Sequence, residues 1–150
     1  MTTQKTIDDF FAQPNIAIAG VSRDSKKFGN MVYRALKKKG MKVFALNPNT
    51  DSIDGDTCYH TINELPTETK ALIIITPPSQ TAALLKEAHE KGIKHIWIQQ
   101  KSESNEALIY AEKMDPVPLH GFCLFMFLKP YAFPHNMHRF FFKMSKKFPR

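Results

Sequence analysis

Only two cysteines, Cys58 and Cys123, occur in the 150 residues, and neither sits in a CxxC or Cys/His spacing suited to zinc. A disulfide framework and a metal site are therefore not expected, and reduced thiols in a reducing compartment are. No run of about 18 uncharged apolar residues exists that could cross a bilayer. The stretch from Met1 to Phe11 carries Lys5, Asp8 and Asp9 where a signal peptide would need an apolar segment. The expectation is a soluble, cytoplasmic protein. Carboxylates are missing altogether from residues 116–150, which contain Lys129, Arg139, Lys143, Lys146, Lys147 and Arg150, so six of the net +7 charges lie in the tail. The rest of the chain is nearly neutral. A basic tail can meet nucleic acid, anionic lipid or phosphate, but a solvated basic helix has the same composition. Neither nucleic acid nor a membrane is the expected partner.

What is present is ordinary globular material, 43% hydrophobic and 23% charged, at a length common for one domain. One domain over 1–150 is expected, with a core from about residue 15 to 123 and an appendage from about 129 to 150. A short helix over Thr6 to Ala12 is read from Thr6 and Asp9 as a capping pair, and Pro14 ends it. Ile16-Ala17-Ile18-Ala19 is an apolar run stopped by Gly20, as in a strand buried on both faces. Phe28, Val32, Ala35 and Leu36 fall at helical spacing ahead of Lys37, Lys38, Lys39 and Gly40. Further strands follow at Lys42 to Leu46, Ala71 to Ile75 and His95 to Ile98, with a fifth around Val117 to Phe122. Thr61 to Glu64 makes a single helical turn. Helices lie between, one capped by Ser79 and ended by Gly92, another from about Glu103 to Met114.

Strands alternating with helices imply parallel pairing, because each crossover returns the chain to the same end of the sheet. The fold class is α/β: a doubly wound, mainly parallel Rossmann-like sheet of about five strands with helices on both faces. A basic amphipathic C-terminal helix is added to it. In such sheets ligands bind outside the carboxyl ends of the strands, where strand order reverses. That rule selects Gly20, Val21 and Ser22, then Asn47 and Pro48, then Thr76, Pro77 and Pro78, and finally Gln99. The loop from Gly20 to Asn30 opens the first crossover helix, whose free N–H groups and dipole favour a phosphate. Gly20 and Gly29 permit close approach, Ser22 offers a hydroxyl, and Arg23, Lys26 and Lys27 supply enough positive charge for a polyphosphate. The dinucleotide fingerprint G-x-G-x-x-G is absent, and Asn47-Pro48 stands where an acid would hold the ribose hydroxyls. An NAD(P) cofactor is disfavoured on both grounds.

These residues resemble the coenzyme A-binding domain family, which includes stand-alone bacterial CoA-binding proteins and the N-terminal domain of the succinyl-CoA synthetase alpha subunit. The resemblance runs from Asn15 to Cys123. It rests on Ile18-Ala19-Gly20-Val21-Ser22, Phe28-Gly29-Asn30, Val43 to Pro48 after Gly40, Gly55 with Cys58-Tyr59, Ile62 to Pro66, Thr76-Pro77-Pro78 and Trp97-Ile98-Gln99. It implies that Gly20, Val21 and Ser22 with Lys26 and Lys27 meet the phosphates of CoA. Asn47 and Pro48 would then lie near the adenosine, Thr76 and Pro77 in mid-crevice, and Gln99 toward the pantetheine. CoA carries a ribose phosphate besides its diphosphate, which suits a basic loop.

Catalytic machinery is not evident. His60, His89, His95 and His120 have no Ser, Cys or carboxylate partner at a recognisable spacing. The synthetases that the chain resembles keep their catalytic histidine in a later domain. The expectation is non-catalytic binding of CoA or an acyl-CoA. The alternatives are an NAD(P)-binding oxidoreductase-like protein and a non-catalytic subunit of an acyl-CoA ligase. Met137, Phe140, Phe141, Met144 and Phe148 share one helical face in the tail, which could dock on the sheet or form a homodimer interface.

Overall fold

In the computed structural model, which describes residues 2–128, the segment that is apolar throughout becomes the centre of the sheet. Strand β1 (Asn15–Ala19) is buried along its whole length. It pairs in parallel with β2 (Lys42–Leu46) on one side and β5 (Ala71–Ile74) on the other. Beyond β2 stand β4 (Asp56–Tyr59), parallel to it, and β3 (Ser52–Ile53), antiparallel to β4; beyond β5 stands β6 (His95–Ile98), parallel. The order is β3-β4-β2-β1-β5-β6.

Successive residues of β1 serve two cores, as side-chain alternation requires. Ile16 and Ile18 pack with Val32, Tyr33 and Leu36 of helix α2 (Phe28–Lys38), with Ile7 and Phe10 of α1 (Gln4–Phe11), and with Trp97. Ala17 and Ala19 pack on the opposite face with Ala82, Leu85 and Ala88 of α3 (Pro78–Lys91) and with Ala107 and Ala111 of α4 (Asn105–Ala111). Helices on both faces of a mainly parallel sheet make the expected doubly wound α/β fold. No helix among the described residues is long and apolar enough to cross a membrane. The anticipated basic helix lies outside the described residues.

Several local expectations change. The sheet has six strands because Asp54 and Gly55, at φ 50° and 84°, close a hairpin between β3 and β4. Asp-Gly between short strands favours such a turn. The expected fifth strand is reduced to one bridge between Trp97 and Leu119. Pro116 and Pro118 have no N–H to give a ladder there. Helix α1 is capped one turn earlier than read, by Thr3 and Thr6 bonding reciprocally. Helix α3 starts at Pro78, with Pro77 rather than Ser79 at its cap position, because proline suits a first turn whose N–H would be unpaired. Helix α4 is shorter than read and is capped by the Ser104 hydroxyl, which accepts from Ala107 N. The turn at Ile62–Glu64 is a 3-10 turn with Thr61 as its cap.

The hairpin is fastened to α2 by polar groups. The buried Tyr33 hydroxyl donates to Asp56 Oδ2 at 2.5 Å, and Lys37 pairs with the same oxygen. Burial, then the Asp56 hydrogen bond, pushes the Tyr33 phenol well above its ordinary value. A phenol whose folded pKa is raised stabilises the fold below its unfolded pKa of about 10, and that contribution is lost as pH rises toward the folded value. Thermal unfolding midpoints are therefore expected to fall above about pH 10, and to fall less steeply in Tyr33→Phe. That variant should also be about 1 kcal/mol less stable at neutral pH, from loss of the bond to Asp56.

Candidate functional site

The chain leaves β1 toward β2 and the hairpin, then crosses back to β5 on β1's other side. Strand order thus reverses between β1 and β5. A cleft of about 650 Å³ opens there, at the carboxyl ends of the strands. Its floor is Gly20, Val21, Ile75 and Thr76, and its sides are the first turn of α2, the segment His60–Ile62, and Gln80, Leu84 and Glu87 of α3.

Two glycines allow the floor to exist. At Gly20 (φ 114°) a Cβ would stand 2.2 Å from the carbonyl oxygen of Ile75, and at Gly29 a Cβ would stand 2.1 Å from the carbonyl oxygen of Gly20. The first turn of α2 therefore sits directly on the end of β1, closer than any side chain permits. Helix α2 has Lys27 at its cap position with no side-chain cap, and the backbone N–H groups of Phe28 and Gly29 find no acceptor among the described residues. Those two amides, the positive end of the helix dipole and the exposed Lys27 side chain face one space.

The loop between Gly20 and α2 is built as a unit. Asn30, only 1% exposed, accepts from Ser22 N and donates from Nδ2 to Ser22 O, both at 2.8 Å. The Asn47 amide donates to Val21 O at 2.7 Å while its Oδ1 accepts from Asn49 N at 2.7 Å. Each polar end of Asn47 thus has one bond to backbone, which fixes the amide in the cleft wall and leaves one N–H and one oxygen lone pair over. Ser22 Oγ accepts from Asp24 N at 3.1 Å and keeps its own proton to donate.

Of the residues selected from sequence, Gly20, Val21, Ser22, Lys27, Phe28, Gly29, Asn47, Pro48, Thr76 and Pro77 line the cleft. Arg23, Lys26, Asn30, Pro78 and Gln99 are not on its wall. Arg23 and Lys26 are exposed on the outer part of the loop. Gln99 is 5% exposed, and its Oε1 accepts from Leu124 N at 3.1 Å, which fixes the turn at Leu124–Met126. The wall residues that the sequence did not single out as part of the site are Ala19, Leu46, Asn49, His60, Thr61, Ile62, Ile75, Gln80, Leu84 and Glu87. His60 Nε2 is 2.8 Å from Asp51 Oδ1, and its backbone N donates to Glu64 Oε2 at 2.9 Å. Cys58 and Cys123 are buried and off the cleft, and burial raises the Cys58 thiol, which keeps it protonated.

A parallel sheet with this strand order, and a glycine-floored cleft at its switch point, defines a Rossmann-like domain. The chain belongs to the CoA binding domain family, whose sequence model matches residues 14–127. It is 36% identical over 93 residues to the alpha subunit of ADP-forming acetate–CoA ligase II of Pyrococcus furiosus, covering 61% of this chain and 20% of that one. It is 33% identical over 100 residues to ADP-forming acetate–CoA ligase II of Archaeoglobus fulgidus, covering 65% of this chain and 15% of that one. The chain thus spans a fifth or less of the length of these curated relatives. Among solved structures, a conserved hypothetical protein of Pyrococcus furiosus matches with a TM-score of 0.69 and 35% identity, covering 73% of this chain and 95% of that one. The dinucleotide-forming acetyl-coenzyme A synthetase 1 of Candidatus Korarchaeum cryptofilum matches with a TM-score of 0.57 and 26% identity, over 61% of this chain and 20% of that one.

Proposed function

We propose that this chain binds coenzyme A, free or acylated, in the cleft at the carboxyl ends of its strands and performs no reaction on its own. The observation that carries this reading is the amino end of α2. Two backbone amides without acceptors among the described residues and the cleft-lining Lys27 stand together where glycine alone fits, which suits the diphosphate of a nucleotide. Family membership favours CoA as that nucleotide. The missing G-x-G-x-x-G fingerprint, and Asn47-Pro48 in place of an acid, weigh against NAD(P) and the oxidoreductase alternative. Likeness to a ligase alpha subunit supports a second reading, in which the chain presents CoA as a non-catalytic subunit to a partner that holds the catalytic groups.

Isothermal titration calorimetry tests the first reading. CoA is expected to bind saturably, 3′-dephospho-CoA more weakly and NADP not at all. Lys27→Ala is expected to weaken CoA about tenfold, one charge-assisted contact. Lys26→Ala, off the cleft wall, should weaken it by less than about threefold through the general field. Binding of NADP with no heat from CoA would overturn the proposal in favour of the oxidoreductase alternative.

A further inference from the structure

Arg34 stands in the second turn of α2, outside the cleft. Each nitrogen of its guanidinium makes a hydrogen bond. Nε and Nη2 fork onto the two oxygens of Asp54 at 2.8 and 3.1 Å, and Nη1 donates to the backbone carbonyl of Ser25 at 2.8 Å. One side chain therefore joins the β3–β4 turn to the loop that enters the cleft.

An anion-binding loop must offer N–H groups to its ligand and turn its carbonyl oxygens elsewhere, since a carbonyl dipole aimed at a phosphate repels it. Four of this loop's carbonyls are taken up within the protein: Val21 O by Asn47, Ser22 O by Asn30, Asp24 O by Lys27 N and Ser25 O by Arg34. Ser25 O is the one whose partner comes from the outer side of α2. Holding it there also fixes the chain entering Lys27, the cap position of α2 and the cleft's one lysine among the described residues. The Asp54 pair matters because a bidentate fork sets the plane of the guanidinium and so the direction of Nη1. The same contact with Arg34 holds the Asp54 carboxyl below the usual carboxylate range.

We propose that Arg34, aimed by Asp54, is a positioning residue for the phosphate cradle, keeping the Ser25 carbonyl out of the cleft without touching the ligand. This inference rests on the CoA-binding reading above. It predicts a dependence on guanidinium geometry rather than on charge, because a lysine at this position keeps the charge and loses the fork.

Titrations of CoA and 3′-dephospho-CoA into wild type, Arg34→Lys, Arg34→Gln and Tyr33→Phe test it. Both Arg34 variants are expected to lose about tenfold in affinity, by the same factor for the two ligands, which share the diphosphate. Tyr33→Phe loosens the same hairpin from the same helix without contacting the loop, and it is expected to keep wild-type affinity. Wild-type affinity in Arg34→Lys would make the effect one of charge and overturn the inference. Equal loss in Tyr33→Phe would make it one of hairpin stability and overturn it as well. Failure of the wild-type chain to bind CoA would instead overturn the proposed function, and this inference with it.

Discussion

A Gly29→Ala chain is expected to lose CoA affinity by about 100-fold or more, the equivalent of two charge-assisted hydrogen bonds. The added methyl would lie 2.1 Å from Gly20 O, 2.7 Å from the carbonyl carbon and 3.1 Å from Val21 N. All three are backbone atoms of the β1 terminus, and no rotamer change can clear them. The first turn of α2 must move off the strand, taking the amides of Phe28 and Gly29 and the cap position of Lys27 with it. Overpacking of this kind costs about 1–3 kcal/mol in fold stability. Calorimetric titration together with thermal unfolding separates the two effects. Retained affinity in a folded Gly29→Ala chain would mean that the ligand does not use this cradle.

Asn30→Ala is the second large effect, and it acts first on stability. The substitution removes the partner, itself 1% exposed, of the half-buried Ser22 N and Ser22 O, a loss of about 1–3 kcal/mol. Asn30→Asp should be worse than alanine at neutral pH. It replaces the Nδ2 donor by a second acceptor facing Ser22 O and buries a carboxylate charge to which Ser22 N is the donor that remains. Chemical unfolding measures the order Asn, Ala, Asp. If aspartate were as stable as asparagine, the buried bond to Ser22 O would be of no consequence.

Much of this molecule can be read from its chain because most of its elements are long apolar runs or periodic helices. The cores of β1, β2, β5 and β6, and the helices between them, follow from pattern and from the glycines that stop them. The β3–β4 hairpin does not. Strands of two and four residues are too short for alternation to register, although Asp54-Gly55 carried a turn signal. Missing the hairpin meant missing the wall that follows it, His60 to Ile62. The switch-point rule located the cleft floor without any motif, since it depends only on strand ends. What it cannot give is where an amide side chain turns. Asn30, Asn47 and Gln99 were chosen as groups near a ligand, yet Asn30 and Asn47 bond backbone that shapes the site, and Gln99 Oε1 bonds Leu124 N away from it. Arg34 escaped notice because its partners, Ser25 and Asp54, meet only once helix and hairpin are packed.

The single bridge beyond β6 has a bearing on self-association. Leu119 N donates to Ile96 O, Ile98 N to Leu119 O and, just past the strand, Gln100 N to Phe122 O, so part of the outward edge of β6 is covered by its own chain. At the opposite margin β3 is two residues long. Among the described residues, a short edge strand and a partly covered one are devices that discourage strand-on-strand growth. Two copies that came together along β6 would have to recognise each other largely through side chains.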